Sequence, residues 1–237
     1  MMDLAEVFSG GPLRLGVGEY AWLIGSGLGT SPRTLQLAGI DVTEFGDEGF
    51  AFAMSNLSAR GLLRETGPQP ERITEVFDHL EDEETMPEPV GPAMVTFYAA
   101  SNARGWIRHM ISTKDRMVSE TFITLAEDFS LAAIAGPLRE RTIAPWPRGA
   151  ELASVLQQLT ESSLAQVQDA SVSIEFLSAD DAATSTLYVR SAGEGEYQLA
   201  TQHGDAAPEM LAGTHSKGAV ADRTAGMLDE FEASLNA

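Results

Sequence analysis

The chain has 237 residues, 43% of them hydrophobic and 21% charged, which is the composition of a globular protein that buries a core. Its 35 acidic residues against 15 Lys and Arg give a formal net charge of −20, which repels nucleic-acid phosphates and anionic membrane surfaces. The absence of cysteine excludes disulfides, a thiolate nucleophile and a sulfur-ligated zinc site, and we expect a cytoplasmic protein that binds neither nucleic acid nor membrane.

Two amphipathic helices are predicted before residue 90. Phe50, Met54 and Leu57 recur at helical spacing from Asp47, and Gly61 stands where a left-handed helix cap is expected. A second helix, ending near the acidic run 81–84, is predicted by four residues that share one helical face: Ile73, Val76, Phe77 and Leu80.

Four segments rich in β-branched and aromatic residues follow, at 94–100, 106–112, 118–125 and 129–134. The gaps between them have the length and chemistry of turns, so an antiparallel meander of four sequential strands is predicted. The segment 137–149 contains prolines, which cannot donate a hydrogen bond within a central strand. We therefore predict an irregular, proline-rich connection there.

A similar order is predicted after residue 150. Leu152, Val155, Leu156, Leu159 and Val167 form the apolar face of a helix, and strands follow around 172–176, 187–189 and 197–199. The terminal residues 220–235 predict another amphipathic helix. The predicted fold is α+β, with antiparallel meander sheets and packed helices. We expect one domain over 1–237, with two similar halves, 1–136 and 150–237.

No residue pattern indicates a catalytic, cofactor or metal site. The glycines of 25–29 lack the spacing of a dinucleotide fingerprint, and Pro32 interrupts it. The acids of 78–88 lack the alternating ligands of a calcium loop. The four histidines include no pair at the three- or four-residue spacing of helical metal ligands: His79, His109, His203 and His215. We predict a protein that is not an enzyme and holds no cofactor.

Two motifs stand near the amino terminus. In the first, Glu19, Trp22 and Leu23 precede 28–29 (Leu-Gly), Pro32 and 35–37 (Leu-Gln-Leu); the second is 57–62, Leu-Ser-Ala-Arg-Gly-Leu. In this order they resemble the EspG-type chaperones that accompany type VII (ESX) secretion in actinobacteria. The rest of the chain resembles that family in the order of its elements, which many α+β proteins share.

The resemblance implies a cytosolic chaperone that binds a secreted helical protein and keeps its aggregation-prone tip in solution before export. The protein itself is then expected to be a monomer or homodimer. In the family this binding is done by the sheet and its loops, which here indicates a hairpin loop at 101–105 and the C-terminal helix. The meander residues Phe97, Tyr98, Trp106 and Ile107 are expected to supply an apolar centre inside a polar rim. The other predicted binding residues are Asn102 and Arg104 in the loop and Met227 and Phe231 on the C-terminal helix.

An alternative function stays open at this point. An α+β domain can bind a small molecule, or hydrolyse one, at a site assembled from residues far apart in sequence. A deep apolar pocket with convergent polar groups favours that alternative, whereas an exposed apolar patch favours a protein-binding chaperone or adaptor. A structural or interaction domain with no link to secretion is the third possibility.

Overall fold

The computed structural model describes residues 3–25, 40, 45–64, 87–137, 139–179 and 184–236. The chain folds into two compact units, one made of 1–102 with 136–144 and the other of 103–135 with 145–237. These bounds differ from those of the predicted halves. The similarity of the halves stays a prediction.

The first unit is built around a short buried helix. All six side chains from Glu19 to Ile24 are buried on this helix, which packs against two other helices. The elements of the unit are α1 (Leu4–Val7), β1 (Leu13–Leu15), α2 (Val17–Gly25, the central helix), α3 (Gly46–Ala59), β2 (Leu63–Arg64), β3 (Glu88–Pro89), α4 (Pro92–Ser101) and most of β7 (Arg141–Trp146). β1 pairs antiparallel with β7, and β2 pairs antiparallel with β3.

The predicted helix that ends at Gly61 is confirmed by α3. Gly61 adopts a φ of 68°, the left-handed conformation that glycine accepts at least cost. The N–H of Leu62 donates to the carbonyl of Leu57 at 2.9 Å, and that of Gly61 donates to Ser58 at 2.8 Å, which together make a Schellman cap. The second predicted helix, at 73–84, lies outside the described residues, as do 28–37.

Two predictions about this region are wrong. The segment 94–100 is not a strand but lies within helix α4, which has Pro92 in its first turn after Gly91. Its buried residues recur at helical spacing: Ala93, Val95, Thr96, Ala99 and Ala100. The segment 137–149 is not wholly irregular, because Arg141–Trp146 form β7 and pair with β1, more than a hundred residues earlier in the chain.

The second unit consists of an antiparallel sheet with two long helices. Its elements are β4 (Gly105–Ser112), β5 (Met117–Leu125), β6 (Ser130–Ala135), α5 (Gly149–Gln166), β8 (Ser171–Ser178), β9 (Thr184–Gly193), β10 (Glu196–His203), β11 (Glu209–Met210), β12 (His215–Ser216) and α6 (Lys217–Ser234). The strand order is β6-β5-β4-β8-β9-β10, with β11 and β12 paired to β10. Two three-stranded meanders therefore meet where β4 pairs with β8.

The core of this unit lies between one sheet face and the helices α5 and α6. Alternate strand residues such as Ile107, Ile123 and Ile174 point to this face, and Leu156 and Leu228 meet them from the helices. The α+β class, the antiparallel meander and the helices of the second half were predicted correctly. Among the described residues, no helix is both long and apolar enough to cross a membrane.

Candidate functional site

One residue from each of the two motifs that carry the family resemblance meets the other in the first unit: Glu19 and Arg60. Glu19 is the third residue of α2, and its Oε2 accepts a hydrogen bond from the N–H of Gly16 at 2.6 Å, as in one half of a capping box. Nη1 of Arg60, the C-cap residue of α3, donates to both carboxylate oxygens of Glu19 at 2.9 and 2.8 Å. Nη2 of Arg60 donates to the carbonyl of Arg14 at 2.5 Å. We call this set of contacts the Glu19–Arg60 clasp.

The clasp accounts for Glu19 in the first motif and for the cap residues of the second. Leu57, Gly61 and Leu62 form the Schellman cap, and this cap places Arg60 where it reaches the start of α2. The Glu19 side chain is buried, and it accepts hydrogen bonds from Gly16, between β1 and α2, and from Arg60 at the end of α3. Its role is therefore to join β1, α2 and α3, and the motif residues 19 and 57–62 form one folded arrangement.

Helix α4 presents an uncharged surface. None of its ten residues is charged, although 21% of the residues in the whole chain are charged. Met94 and Tyr98, one turn apart, are 39% and 48% exposed, and Phe97 beside them is half-buried. Asn102 is the exposed C-cap residue, and its side chain donates to the carbonyl of Tyr98 at 3.0 Å. We call Met94, Phe97, Tyr98 and Asn102 the α4 stripe.

The other predicted binding residues have structural roles. Trp106 and Ile107 are adjacent on β4, so their side chains lie on opposite faces of the sheet, and both are buried. Trp106 stacks on Phe122 with ring centroids 6.4 Å apart. Met227 and Phe231 are buried on α6 as part of the core. The predicted apolar face on the meander is therefore not formed, because strand alternation separates two of its members and helix α4 carries Phe97 and Tyr98.

Arg104 holds the end of the C-terminal helix. Its Nη1 donates to Oδ1 of Asn236 at 2.9 Å, and its Nη2 donates to the carbonyl of Leu235. The next residue, Gly105, leaves space for Phe231, because a Cβ at this position would lie 2.7 Å from the Phe231 ring. The predicted hairpin loop at 101–105 is instead the passage from α4 to β4, where Arg104 contacts Leu235 and Asn236 and Gly105 lies against Phe231.

Three charged side chains of the second unit form one ion-paired group. Nε of Arg108 donates to Glu120 at 2.6 Å, and its Nη1 lies 3.7 Å from Oε2 of Glu175. Burial raises the pKa of the Glu175 carboxyl, and the positive charge of Arg108 opposes that rise. These three side chains lie on the sheet face opposite to the helices, as the cross-strand register requires.

His109 lies on the helix-covered face, next to a hydroxyl. Thr160 donates its proton to the carbonyl of Leu156 at 2.8 Å, so its oxygen accepts from Nε2 of His109, 3.2 Å away. Burial lowers the pKa of His109 to about 4, which leaves the imidazole neutral at pH 7. A His–Thr pair has the groups of a nucleophile and base, but both are almost fully buried, so no substrate reaches them.

Another exposed feature, which the sequence reasoning missed, is the tip of the β4–β5 hairpin. Five consecutive residues are exposed, 114–118, and they include Met117 and Val118. The sequence signal for it was available, because two apolar residues follow the turn Lys-Asp-Arg directly. Among the described residues, no group of three or more His, Asp or Glu is placed to hold a metal ion.

No protein-family model matches the chain, and no curated protein matches it. The candidate surfaces are therefore argued from their own geometry. They are the α4 stripe in the first unit and the β4–β5 tip in the second.

Proposed function

We propose that this protein is a non-enzymatic chaperone or adaptor of the EspG type, which binds a secreted helical protein of a type VII secretion system in the cytosol. The observation that carries the proposal is the Glu19–Arg60 clasp. Two motifs resemble the same family, and Glu19 of the first contacts Arg60 of the second, 41 residues later in the chain. That contact makes the two resemblances parts of one structural feature and supports reading them together.

The partner-binding surface that we propose is the α4 stripe. Interface centres are depleted in charge and enriched in aromatic residues and Met, and the stripe has this composition. It replaces the predicted meander face, and it retains Phe97, Tyr98 and Asn102 as binding residues. The partner's apolar surface is expected to cover Met94 and Tyr98, with Asn102 at the polar rim.

The strong acidity of the chain is consistent with a carrier function. A net charge of −20 keeps a protein soluble and opposes its self-association. A carrier with this charge also keeps an apolar cargo in solution while the two are bound. The carrier itself is then a monomer or homodimer that releases its cargo at the export machinery.

The test is affinity purification of tagged protein from its native cytosol, followed by mass spectrometry. The expected result is a small helical protein with an export signal, recovered in stoichiometric amount. The double variant Met94→Glu/Tyr98→Glu is expected to lose this protein, because two carboxylates would be buried without partners. Phe52→Glu is the matched control, since Phe52 is 69% exposed on α3, outside the stripe. Recovery of the tagged protein alone would contradict the proposal.

A further inference from the structure

The β4–β5 hairpin ends in a compact turn. The N–H of Thr113 donates to the carbonyl of Arg116 at 2.9 Å, and the Thr113 hydroxyl donates to the same oxygen at 3.3 Å. The turn leaves Lys114, Asp115 and Arg116 exposed. Met117 and Val118 follow immediately, and they are 54% and 41% exposed.

A β-bulge decides where these two apolar side chains lie. Ser119 pairs with Ile111, but Met117 pairs with Ser112, so β5 has one extra residue, Val118, at this point. Ser119 therefore shares the face of Ile111, which packs against the core beneath the helices. Met117 shares the face of Ser112, on the opposite side. Strand alternation from Ser119 places Val118 on that opposite face as well.

Without the bulge, Met117 and Val118 would point to opposite faces of the strand. The extra residue brings both to the face that α5 and α6 leave uncovered, where Met110 is also partly exposed. Bulges of this kind re-aim side chains and are common beside functional sites. The result is a small apolar cluster at the end of the hairpin: Met110, Met117 and Val118.

Two cations, Lys114 and Arg116, lie beside this cluster. The chain has more than two acidic residues for each basic one, so a cation finds a carboxylate easily. Arg60, Arg108 and Lys217 each form an ion pair. In the part of the chain that the structure describes, Lys114 and Arg116 form none. With Asp115 between them, the turn carries a local charge of +1 on a chain whose total is −20.

We propose that the β4–β5 tip, defined as Met110 and 113–118, is a docking element for a protein surface that combines apolar side chains with Asp and Glu. Because charges more than about 8 Å apart are largely screened at physiological salt, the turn's cations act locally despite the acidity of the whole chain. The apolar cluster supplies contact area, and the two cations select an acidic rim. The expectation that the partner surface is a helix rests on the proposed function. The expectation that this surface is acidic does not.

The experiment uses the full-length protein labelled with ¹⁵N and two synthetic peptides. Each is an amphipathic helix of about 20 residues, long enough to be helical in water, with the same apolar face. One has Glu on its polar face and the other has Lys. The Glu peptide is expected to shift the backbone amides of 113–119, and to bind about tenfold tighter than the Lys peptide. Its affinity is expected to fall as salt is raised.

The double variant Lys114→Glu/Arg116→Glu is expected to reverse the preference between the two peptides, and Met117→Ser/Val118→Thr to weaken both. Arg64→Glu is the matched control, because it reverses one exposed cation of the first unit and should change neither affinity. Thermal unfolding checks that each variant is folded.

Three outcomes overturn the inference: equal binding of the two peptides, amide shifts confined to residues outside the tip, or tip-dependent binding to phosphatidylglycerol vesicles but not to the Glu peptide. The last result would assign the tip to a lipid surface. If the secreted protein recovered by affinity purification binds wild type and Lys114→Glu/Arg116→Glu equally, the tip inference fails and the proposed function stands. If no such protein is recovered but the Glu peptide binds the tip, the proposed function fails and the tip inference stands.

Discussion

The carboxylate of Glu19 and the guanidinium of Arg60 contact each other at 2.8 Å across 41 residues of chain. Glu19 lies in the first turn of α2 and accepts a hydrogen bond from the N–H of Gly16, and Arg60 is the C-cap residue of α3. One ion pair thus ties the beginning of one helix to the end of another, and Arg60 extends the contact to β1 through the carbonyl of Arg14.

The clasp predicts a coupled loss of stability. Arg60→Ala leaves the buried carboxylate of Glu19 without its ion-pair partner. This substitution is expected to lower the free energy of unfolding by about 2 kcal/mol. The loss is smaller than for a fully buried pair, because Arg60 is partly exposed. Urea unfolding of Arg60→Ala, Glu19→Gln and the double variant measures the coupling. Arg64→Ala is the control. Additive effects of the two substitutions would contradict a direct interaction.

His109 predicts a specific dependence of stability on pH. Its pKa is about 4 in the folded protein, against 6.5 for an unperturbed histidine, so the unfolded chain binds the proton first as pH falls. Stability is therefore unaffected by this group above pH 6.5, and falls between 6.5 and 4 by up to about 3 kcal/mol. Chemical denaturation across that range should show a shallower slope for His109→Gln. An unchanged slope in His109→Gln would contradict the assignment of this pH dependence to His109.

Gly105 and Gly226 predict opposite effects of the same substitution. A Cβ at Gly105 would lie 2.7 Å from the Phe231 ring and 3.0 Å from the backbone oxygen of Leu177, so Gly105→Ala is expected to cost about 2 kcal/mol. Gly226 lies inside α6, and a Cβ there meets no atom within 4 Å. Gly226→Ala should therefore stabilise by about 0.5–1 kcal/mol through helix propensity. Thermal melting of both variants tests the pair; stabilisation by Gly105→Ala would refute the close packing.

Arg104 predicts a local effect at the end of α6. Its guanidinium satisfies the carbonyl of Leu235, which is one of the groups that a helix leaves without a partner at its C-terminus. Arg104→Ala should speed amide hydrogen exchange over 231–236 and lower stability by about 1 kcal/mol. Exchange in α5 provides the internal reference. Unchanged exchange at 231–236 would show that the contact does not hold the helix end.

The elements that sequence reasoning predicted correctly are those with a clean local period or cap. Gly61 marked the end of α3, because a left-handed cap favours glycine in any tertiary setting. The alternation of Val172, Ile174 and Phe176 marked β8, since one face of that strand is buried.

The error at α4 has a physical cause. Its residues 92–101 are apolar or uncharged at nearly every position, so neither a helical nor a strand period stands out. Val95, Thr96, Phe97 and Tyr98 favour a strand by composition, but Pro92 in the first turn and small alanines at helical spacing suit a helix that packs closely on α2. Packing against α2 therefore outweighed the strand preference of these residues and made the segment a helix.

The candidate surfaces were less accessible from sequence than the fold. Trp106, Ile107, Met227 and Phe231 have the composition of an interface, but a core uses the same residue types, and only burial distinguishes the two. The exposed pair Met117 and Val118 owes its common face to a bulge whose register is set by pairing with β4. No local pattern specifies that register.

The sequence by itself determined the α+β class, the end of α3 at Gly61, the strands β4–β6 and β8–β10, and the strong negative charge, because these follow from local periods, caps and summed charge. Only the tertiary structure decided that α4 is a helix, that Arg60 reaches Glu19, that β7 pairs with β1, and which apolar residues stay exposed. Each of these depends on contacts between residues far apart in the chain, whose free energy outweighs local preference.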